Sequence, residues 1–419
     1  MPAKATPPGV PARRAALRLL DAVLRRGLAL ESALDAAAQG LAPNDRGLAH
    51  AIAAEALRRL ADLDALIDSA TRQRLPDDAK ARFALRIALV QAIALGTPGH
   101  AAIATVLPLV DGGPRKLVHG VFGTLMRQGV TLPEVPTLPA AAVERWTRHW
   151  GAATVAAAAR AIAVPPPLDL TLRPGAAAPG EGTALLSGHC RLPAGQDVPA
   201  LAGFAEGDWW VQDLAASLPA RLIGAGAESA LDLCAAPGGK TLQLAAAGWA
   251  VTAVDISEAR LARLHANLER TGLAARVVAA DLLRWAPETP ADAVLLDAPC
   301  SATGIFRRHP DVLHRVRPAL IAEMAALQAR LLDRAAGWVR PGGVLVYSTC
   351  SLEPEEGEAQ LARFLDAHPD FALRPVRADE LPGGIAPRAD GAVRLLPGML
   401  AEQGGLDGFF IARFERRAG

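Results

Sequence analysis

The chain has 419 residues, of which 51% are hydrophobic and 21% are charged, and its net charge is +1 at neutral pH. This length exceeds what one hydrophobic core usually supports, so we expect two or three domains. Residues 1–150 hold 19 basic and 13 acidic side chains, whereas the remainder holds 25 and 30. The amino-terminal surplus fits a polyanion-binding module and also fits an ordinary solvated helical surface, so charge alone does not decide between them.

The cysteine spacing and the apolar stretches exclude several classes of protein. The four cysteines are far apart along the chain, and no pair has the short spacing of a zinc knuckle; they are Cys190, Cys234, Cys300 and Cys350. Arginines interrupt the early apolar run, which argues against a signal peptide. The longest uncharged stretch, residues 87–110, is broken by Gly96 and Pro98, so it does not resemble a membrane span. We expect a cytoplasmic monomer with reduced thiols, no metal and no membrane partner.

The first 135 residues show the periodicity of helices throughout. Apolar residues recur at spacings of three and four over residues 12–26, 44–69, 77–95 and 115–127. Glycines stand where several of these helices should end. The sequence therefore predicts an all-α bundle as the first domain, residues 1–135.

A small mixed region follows. Three prolines between residues 133 and 139 mark a linker, and three more at 165–167 end an alanine-rich helix at residues 152–162. Short strand-like pieces come next, at Leu168–Leu172 and at residues 209–212. We expect residues 136–225 to form a linking α+β region.

From residue 226 the chain alternates between short apolar strands and amphipathic helices. Strands are predicted at residues 230–233, 250–254, 276–279, 293–296 and 344–347, with helices such as those over residues 257–270 and 319–339. This alternation is typical of a mostly parallel sheet covered on both faces. Ligands of such sheets bind at the carboxyl ends of the strands.

Chemistry-bearing residues follow each predicted strand. The first strand leads into a loop with Gly238, Gly239 and Lys240, and small residues there allow a ligand to approach the backbone. A phosphate-binding P-loop would need glycine at the position of Cys234, so that interpretation fails. Taken alone, this turn could also be a tight connection that binds no ligand. Four acids at successive strand ends, Asp232, Asp255, Asp281 and Asp297, favour one lined pocket.

Two cysteines, Cys300 and Cys350, follow the fourth and fifth strands. Cysteines at adjacent strand ends of one sheet face the same cleft. Most free cysteines are simply small buried residues, and each one alone would fit that description. The pair, surrounded by proline and small polar residues, favours a thiol mechanism.

These segments resemble the signature blocks of the RNA 5-methylcytosine methyltransferases. The likeness lies in residues 232–241, 297–304 and 347–351, and the run from Arg307 to Asp311 is also similar. The resemblance implies that Cys350 is the nucleophile, that Cys300 assists product release and that Asp297 faces both cofactor and base. It implies S-adenosyl-L-methionine as the cofactor, bound by Cys234, Ala235, Ala236, Pro237, Gly238, Gly239, Lys240, Asp255, Asp281 and Asp297.

The helical part resembles the NusB-like RNA-binding domain, on Arg46-Gly47 and on residues 114–118. Together the resemblances imply a multidomain α and α/β protein: a NusB-like bundle, the linking region and a Rossmann-like methyltransferase domain at residues 226–419. A NusB-like domain fused in this order implies small-subunit (16S) ribosomal RNA, unassembled or partly assembled, as the partner. Ala302 stands where the family often has glycine, Gly357 where asparagine is common, and Thr171 departs from the usual pattern.

Two alternatives remain open at this stage. The same reaction on transfer RNA, another RNA or DNA is one of them, and DNA enzymes use the cysteine that corresponds to Cys300 as the nucleophile. The other is an RNA-binding assembly factor without turnover. The presence of both cysteines and of the Gly-Gly-Lys loop counts against the second alternative.

Overall fold

The computed structural model describes residues 7–418, and the chain divides into two compact units. The first comprises Met1–Val164, described from residue 7 onward, together with Phe306–Val316. The second comprises Pro165–Ile305 and Arg317–Gly419, described up to residue 418. The segment Phe306–Val316, which follows the loop carrying Cys300, thus folds with the amino-terminal helices.

The first unit is helical throughout its described part. Its helices are α1 Val10–Leu24, α2 Leu30–Ala37, α3 Pro43–Arg58, α4 Leu60–Ser69, α5 Lys80–Ile93, α6 Gly99–Val106, α7 Gly112–Arg127 and α8 Ala140–Ala163. The single helix predicted over residues 44–69 is two helices, because Arg59 leaves the helical conformation with φ −107° and ψ 18°. The break lets α3 pack on α1 while α4 packs on α5.

Helix α5 is the central element of this bundle. All residues from Ala81 to Gln91 are buried, including the two arginines Arg82 and Arg86. Arg86 donates two hydrogen bonds of 2.8 Å to the carboxylate of Asp64 on α4, and Arg82 pairs with Asp64 at 3.2 Å and also with Asp68. The pairing offsets the desolvation cost of burying two guanidinium groups in a largely apolar core.

The second unit contains a large, mostly parallel sheet. Its elements in chain order are β1 Leu168–Leu172, β2 His189–Leu192, β3 Trp209–Val211, α9 Leu214–Ile223, β4 Ser229–Leu233, α10 Gly239–Ala246, β5 Ala250–Asp255, α11 Glu258–Thr271, β6 Arg276–Ala279, β7 Ala291–Asp297, α13 Pro318–Ala336, β8 Val339–Thr349, α14 Glu358–Ala367, β9 Phe371–Leu373, β10 Val393–Leu395 and β11 Phe409–Arg416; the short helix α12, Val312–Arg315, belongs to the first unit. The strand order is β10-β11-β8-β7-β4-β5-β6, with β9 also pairing with β11.

Strands β6, β5, β4, β7 and β8 are parallel, and β11 joins this sheet antiparallel to β8. All five strands predicted from residue 226 onward are present, so the expected fold class is confirmed. The carboxy-terminal strands β9, β10 and β11 were not predicted. A separate small sheet of order β2-β1-β3 precedes the large one. None of the helices in the described residues is both long enough and apolar enough to cross a membrane.

Candidate active site

The carboxyl ends of the parallel strands lie along one edge of the large sheet. Asp232 is in β4, Asp255 ends β5 and Asp297 ends β7, while Cys350 directly follows β8. Because these neighbouring strands are parallel, their carboxyl ends meet at the same edge. The sheet therefore brings the predicted acids and a predicted cysteine to one side.

The loop between β4 and α10 requires glycine at one position. Gly238 has φ 110°, and a Cβ atom added there would lie 2.3 Å from a methyl carbon of Leu264. The amide of Ala236 donates to the carboxylate of Asp255 at 3.1 Å. Asn267 on α11 donates to the carbonyl of Pro237 at 3.3 Å. The loop is thus anchored to the next strand and helix, with the amino terminus of α10 behind it.

Asp232 is completely buried beneath this loop. Its Oδ2 atom accepts a hydrogen bond of 2.5 Å from Thr241, whereas its Oδ1 atom has no hydrogen-bond partner in the described part of the chain. Burial raises the pKa of Asp232 to about 7. This oxygen, in the lining of the cavity described next, can accept a hydrogen bond from a ligand.

A cavity of about 330 Å³ opens beside the loop. Of the residues predicted to bind the cofactor, its lining includes Cys234, Ala235, Ala236, Pro237, Gly239, Lys240 and Asp297. Gly238, Asp255 and Asp281 do not line it. Asp281 instead follows β6, with its side chain 37% exposed and its Oδ1 atom accepting from the amide of Leu283 at 2.9 Å.

The same cavity is lined by residues that the sequence analysis did not single out. Trp210 lies on β3 of the small sheet and Gln212 directly follows that strand, whereas Asn267 and Arg270 come from α11. Gln212 links these parts, because it accepts from Trp210 at 2.9 Å and donates to Gln243 on α10 at 2.7 Å. The small sheet therefore forms one wall of the cavity within the second unit.

The residues present fit S-adenosyl-L-methionine. That cofactor carries an ammonium group, ribose hydroxyls and an adenine amine, all of which donate hydrogen bonds. The edge offers carboxylate acceptors, and the buried Oδ1 atom of Asp232 lacks a donor among the described residues. The glycine-containing turn leaves room for close approach to the backbone. A cationic, donor-rich ligand matches this acid-rich edge.

Lys240 and Asp297 form an ion pair at the edge of the cavity. The Nζ atom of Lys240 donates to Oδ2 of Asp297 at 2.6 Å, and the hydroxyl of Ser348 donates to Oδ1 at 2.7 Å. Burial alone would lower the pKa of Lys240, but the charge of Asp297, its hydrogen bond and the charges of Asp232 and Cys350 together outweigh burial, and the pKa is raised. Lys240 is therefore a protonated, oriented donor; Ser348, at the end of β8, was missed by sequence analysis.

Cys300 and Cys350 face each other with their sulfur atoms 3.4 Å apart, close enough for a thiol hydrogen bond. The pKa of Cys300 is raised well above its usual value, first by the hydrogen bond to Cys350, then by burial and by the charges of Cys350 and Glu356. Either thiol can be the donor in this contact, and the raised pKa favours retention of the proton on Cys300. The third thiol of this edge, Cys234, also has a raised pKa, because it is buried and surrounded by the carboxylates of Asp255, Asp297 and Asp232.

Two departures from the family pattern lie at positions with unusual local geometry. Ala302 has φ 59°, a left-handed conformation that glycine adopts more easily than alanine. A Cβ atom at Gly357 would lie 2.4 Å from a guanidinium nitrogen of Arg394 and 2.8 Å from the ring of Phe410. A side chain at position 357 is thus incompatible with the way this chain packs Arg394. The third departure, Thr171, is buried and bonded to Gln212 at 2.9 Å.

Within residues 7–418, no group of three or more histidine, cysteine, aspartate or glutamate side chains is arranged to hold a metal ion. The acids of the strand-end edge are used instead as acceptors from Lys240, Ser348, Thr241 and backbone amides.

Comparison with known proteins identifies both parts of the chain. Residues 222–415 match the family model "16S rRNA methyltransferase RsmB/F", and residues 10–123 match the NusB family. The chain is 33% identical to ribosomal RNA small subunit methyltransferase B of Klebsiella pneumoniae over 440 aligned residues, covering 97% of this chain and 98% of that one. The corresponding protein of Xanthomonas campestris is 35% identical over 406 residues, covering 90% and 93%.

A solved structure supports the fold. The crystal structure of the protein PH0851 superposes with a TM-score of 0.74 at 23% identity, covering 97% of this chain and 99% of that chain. The predictions of a NusB-like amino-terminal bundle and of an S-adenosyl-L-methionine-dependent methyltransferase are confirmed. The chain belongs to the family of ribosomal RNA small subunit methyltransferase B.

Proposed function

We propose that this protein methylates carbon 5 of a cytosine in 16S ribosomal RNA through a covalent bond between Cys350 and carbon 6 of the base. The observation that carries the proposal is the pair of sulfur atoms 3.4 Å apart, Cys350 and Cys300, at the sheet edge that also holds Lys240 and Asp297. The names of the relatives point to the small-subunit RNA as the substrate.

The reaction explains why a thiol is needed. Carbon 5 of cytosine is a poor nucleophile, and addition of a thiolate to carbon 6 turns the ring into an enamine whose carbon 5 attacks an electrophile. Cysteine suits this role because it is strongly nucleophilic and can leave again. S-adenosyl-L-methionine supplies the electrophilic methyl group when it is bound.

Cys350 is the better nucleophile of the two cysteines. The thiol proton of Cys300 is retained, because the pKa of Cys300 is raised by its hydrogen bond to Cys350 and by burial. That proton stabilises negative charge on the sulfur of Cys350 through the hydrogen bond between them. The ammonium group of Lys240 adds positive charge at the same edge.

We assign Asp297 and Lys240 to the delivery of a proton to ring nitrogen N3 of the cytosine. Thiolate addition needs a proton or a hydrogen bond at N3 of the cytosine. The 2.6 Å contact between Lys240 and Asp297 holds one proton between an ammonium and a carboxylate. The pair can deliver that proton to N3 through Asp297, while Ser348 keeps the carboxylate oriented.

Product release reverses the addition. After methyl transfer, a base removes the proton from carbon 5, and the bond between Cys350 and carbon 6 breaks. The thiol of Cys300 assists this step, because its hydrogen bond stabilises Cys350 as a leaving thiolate. The target base must be unstacked to reach a strand-end site, which favours single-stranded or looped RNA. We assign the helical bundle of residues 1–135 to RNA binding.

The test uses wild type, Cys350→Ala and Cys300→Ala with methyl-labelled S-adenosyl-L-methionine and unmodified 16S RNA, followed by digestion to nucleosides. Labelled 5-methylcytidine is expected from wild type and none from Cys350→Ala. With Cys300→Ala, a covalent protein–RNA adduct should accumulate on a denaturing gel. Cys190→Ala is the matched control, since it removes a thiol of β2 in the small sheet that does not line the cavity.

Three other outcomes would each contradict part of the proposal. Label that survives Cys350→Ala and disappears with Cys300→Ala would reverse the roles of the two cysteines. Label on transfer RNA and not on 16S RNA would show that the substrate is transfer RNA. RNA binding without any label in the wild type would mean an assembly factor and would overturn the enzymatic proposal.

A further inference from the structure

Each of the two cysteines is followed by a serine, and the two serines share one carboxylate. Ser301 follows Cys300, and Ser351 follows Cys350. The hydroxyls of both serines donate to Oε2 of Glu356. The amide of Ser301 also donates to Oε1 of Glu356 at 2.8 Å. Glu356 therefore ties together two loops that leave different strands, β7 and β8.

Glu356 is held firmly in this position. It is completely buried, and Gln328 on α13 donates to its Oε1 atom at 3.1 Å. Its backbone carbonyl accepts from Tyr347 at 2.8 Å and from Thr349 at 3.2 Å, both on β8. A buried carboxylate that receives four donors at its two oxygens is satisfied as an anion.

We propose that Glu356 is a positioning residue that sets the distance between the Cys300 and Cys350 sulfur atoms by holding Ser301 and Ser351. The proposal rests on the proposed function for its role in catalysis, but the geometry it describes is independent of the substrate. Other hydrogen bonds also join the two loops, since the amide of Gly304 donates to the carbonyl of Cys350 at 2.9 Å and the amide of Leu352 donates to Thr303 at 2.9 Å. Glu356 is the group that binds both of the residues directly after the cysteines.

The charge of Glu356 gives the anchor a second effect. Burial raises the pKa of Glu356, and its hydrogen bonds from Ser301, Ser351 and Gln328 oppose that rise. The negative charge in turn contributes to the raised pKa of Cys300, after the hydrogen bond to Cys350 and burial. Removing the charge should therefore lower the pKa of Cys300, a change that a purely packing role would not produce.

The experiment compares Glu356→Gln with Glu355→Gln in the full-length protein. Glutamine keeps the size of the side chain and removes its charge, and Glu355 is the exposed neighbour of Glu356. Phenylarsine oxide reports on the distance between two thiols, because arsenic forms two As–S bonds and its oxygen leaves as water with both thiol protons. Its affinity should fall by about tenfold or more in Glu356→Gln and stay unchanged in Glu355→Gln. Cys300→Ala gives the background without the pair.

A second readout follows the charge. In a Cys350→Ala background, the pH profile of Cys300 alkylation by iodoacetamide should shift to lower pH when Glu356→Gln is added, and Glu355→Gln should leave it in place. In steady-state methylation, Glu356→Gln should lower kcat by about tenfold or more while KM for both substrates changes little. Ser351→Ala, which removes one of the two links, should show a smaller change in the same direction.

The outcomes separate this proposal from the proposed function. Unchanged arsenic affinity together with an unchanged alkylation profile in Glu356→Gln overturns the positioning role, whatever the activity. If the wild type does not methylate RNA but both thiol readouts shift, the proposed function fails and the positioning of the thiols stands. If Glu356→Gln lowers the unfolding temperature strongly, Ser351→Ala decides, and equal arsenic affinity in that variant and the wild type overturns the proposal.

Discussion

The ammonium group of Lys240 donates a hydrogen bond of 2.6 Å to the carboxylate of Asp297. Lys240 belongs to the first turn of α10 and Asp297 ends β7, so the contact joins the glycine-containing loop to the strand that leads to Cys300. Lys240 also lies 5.6 Å from the ring centre of Phe409, which covers it from β11. The ion pair is thus shared between the part of the edge assigned to the cofactor and the part assigned to the base.

Replacing Lys240 should therefore impair the chemical step. In Lys240→Met, Asp297 loses the partner that orients it and supplies its proton, and we expect single-turnover methylation to slow by about 10²–10³-fold. Rapid-quench kinetics with labelled cofactor measures this rate. Arg276→Met removes an exposed cation of the same unit and should leave the rate within about twofold. A Lys240→Met rate equal to that of Arg276→Met would remove Lys240 from the mechanism.

Asp232 should make stability depend on pH. Its pKa is raised by burial from an ordinary value of 3.8 to about 7, so the folded state binds a proton that the unfolded state has released between those values. The stabilising contribution is present below the unfolded pKa and is lost as the pH rises through about 7. Asp232→Asn should therefore gain a few kcal/mol of unfolding free energy relative to wild type between about pH 4 and about pH 8.

Urea unfolding of wild type and Asp232→Asn at several pH values measures this difference. Ala367→Ser, at an exposed position on α14, is the control, because it changes no titratable group and should show a pH-independent difference. A difference between Asp232→Asn and wild type that is the same at both ends of the range would show that Asp232 has no raised pKa.

Gly238 should be indispensable for the cofactor loop. A methyl group at this position meets Leu264 at 2.3 Å and also faces the cost of φ 110°, so the loop must move away from α11 in Gly238→Ala. We expect the affinity for S-adenosyl-L-methionine, measured by calorimetry, to fall by about tenfold or more. Gly272→Ala is the control, because Gly272 also has a positive φ, of 62°, but a Cβ atom there meets no neighbour. It should leave the affinity for the cofactor unchanged. Equal affinities in the two variants would contradict the role of the close contact.

Ala302→Gly should stabilise the protein. The left-handed conformation at φ 59° costs alanine about 1–2 kcal/mol, and glycine relieves this strain. Glycine also has a larger conformational entropy in the unfolded state, which offsets part of the stabilisation. We expect a net rise of about 0.5–1 kcal/mol in the unfolding free energy measured with urea. Ala326→Gly, at an exposed position inside α13, should instead lose about 1 kcal/mol. A loss in both variants would mean that position 302 is not strained.

The features that could be predicted from the sequence are those that depend on residues close together along the chain. The alternation of strands and helices after residue 226 predicted β4 to β8, and the loop from Cys234 to Lys240 was recognised from its small residues and glycines. The helix predicted over residues 44–69 is split at Arg59, whose backbone leaves the helical conformation although the apolar period continues. Strand β11 was not predicted, although it is largely buried and pairs antiparallel with β8.

By itself, the sequence determined which loops hold the candidate site residues. An acid, a cysteine or a glycine turn that follows a buried strand lies at the carboxyl end of that strand. Parallel pairing then brings these ends together at one edge of the sheet. Only the tertiary structure decided how those residues are partnered. Glu356 in an acidic run looks like any solvated carboxylate until Ser301, 55 positions away, is found bonded to it. Hydrogen-bond partners distant in sequence leave no periodic trace, because their pairing depends on three-dimensional packing.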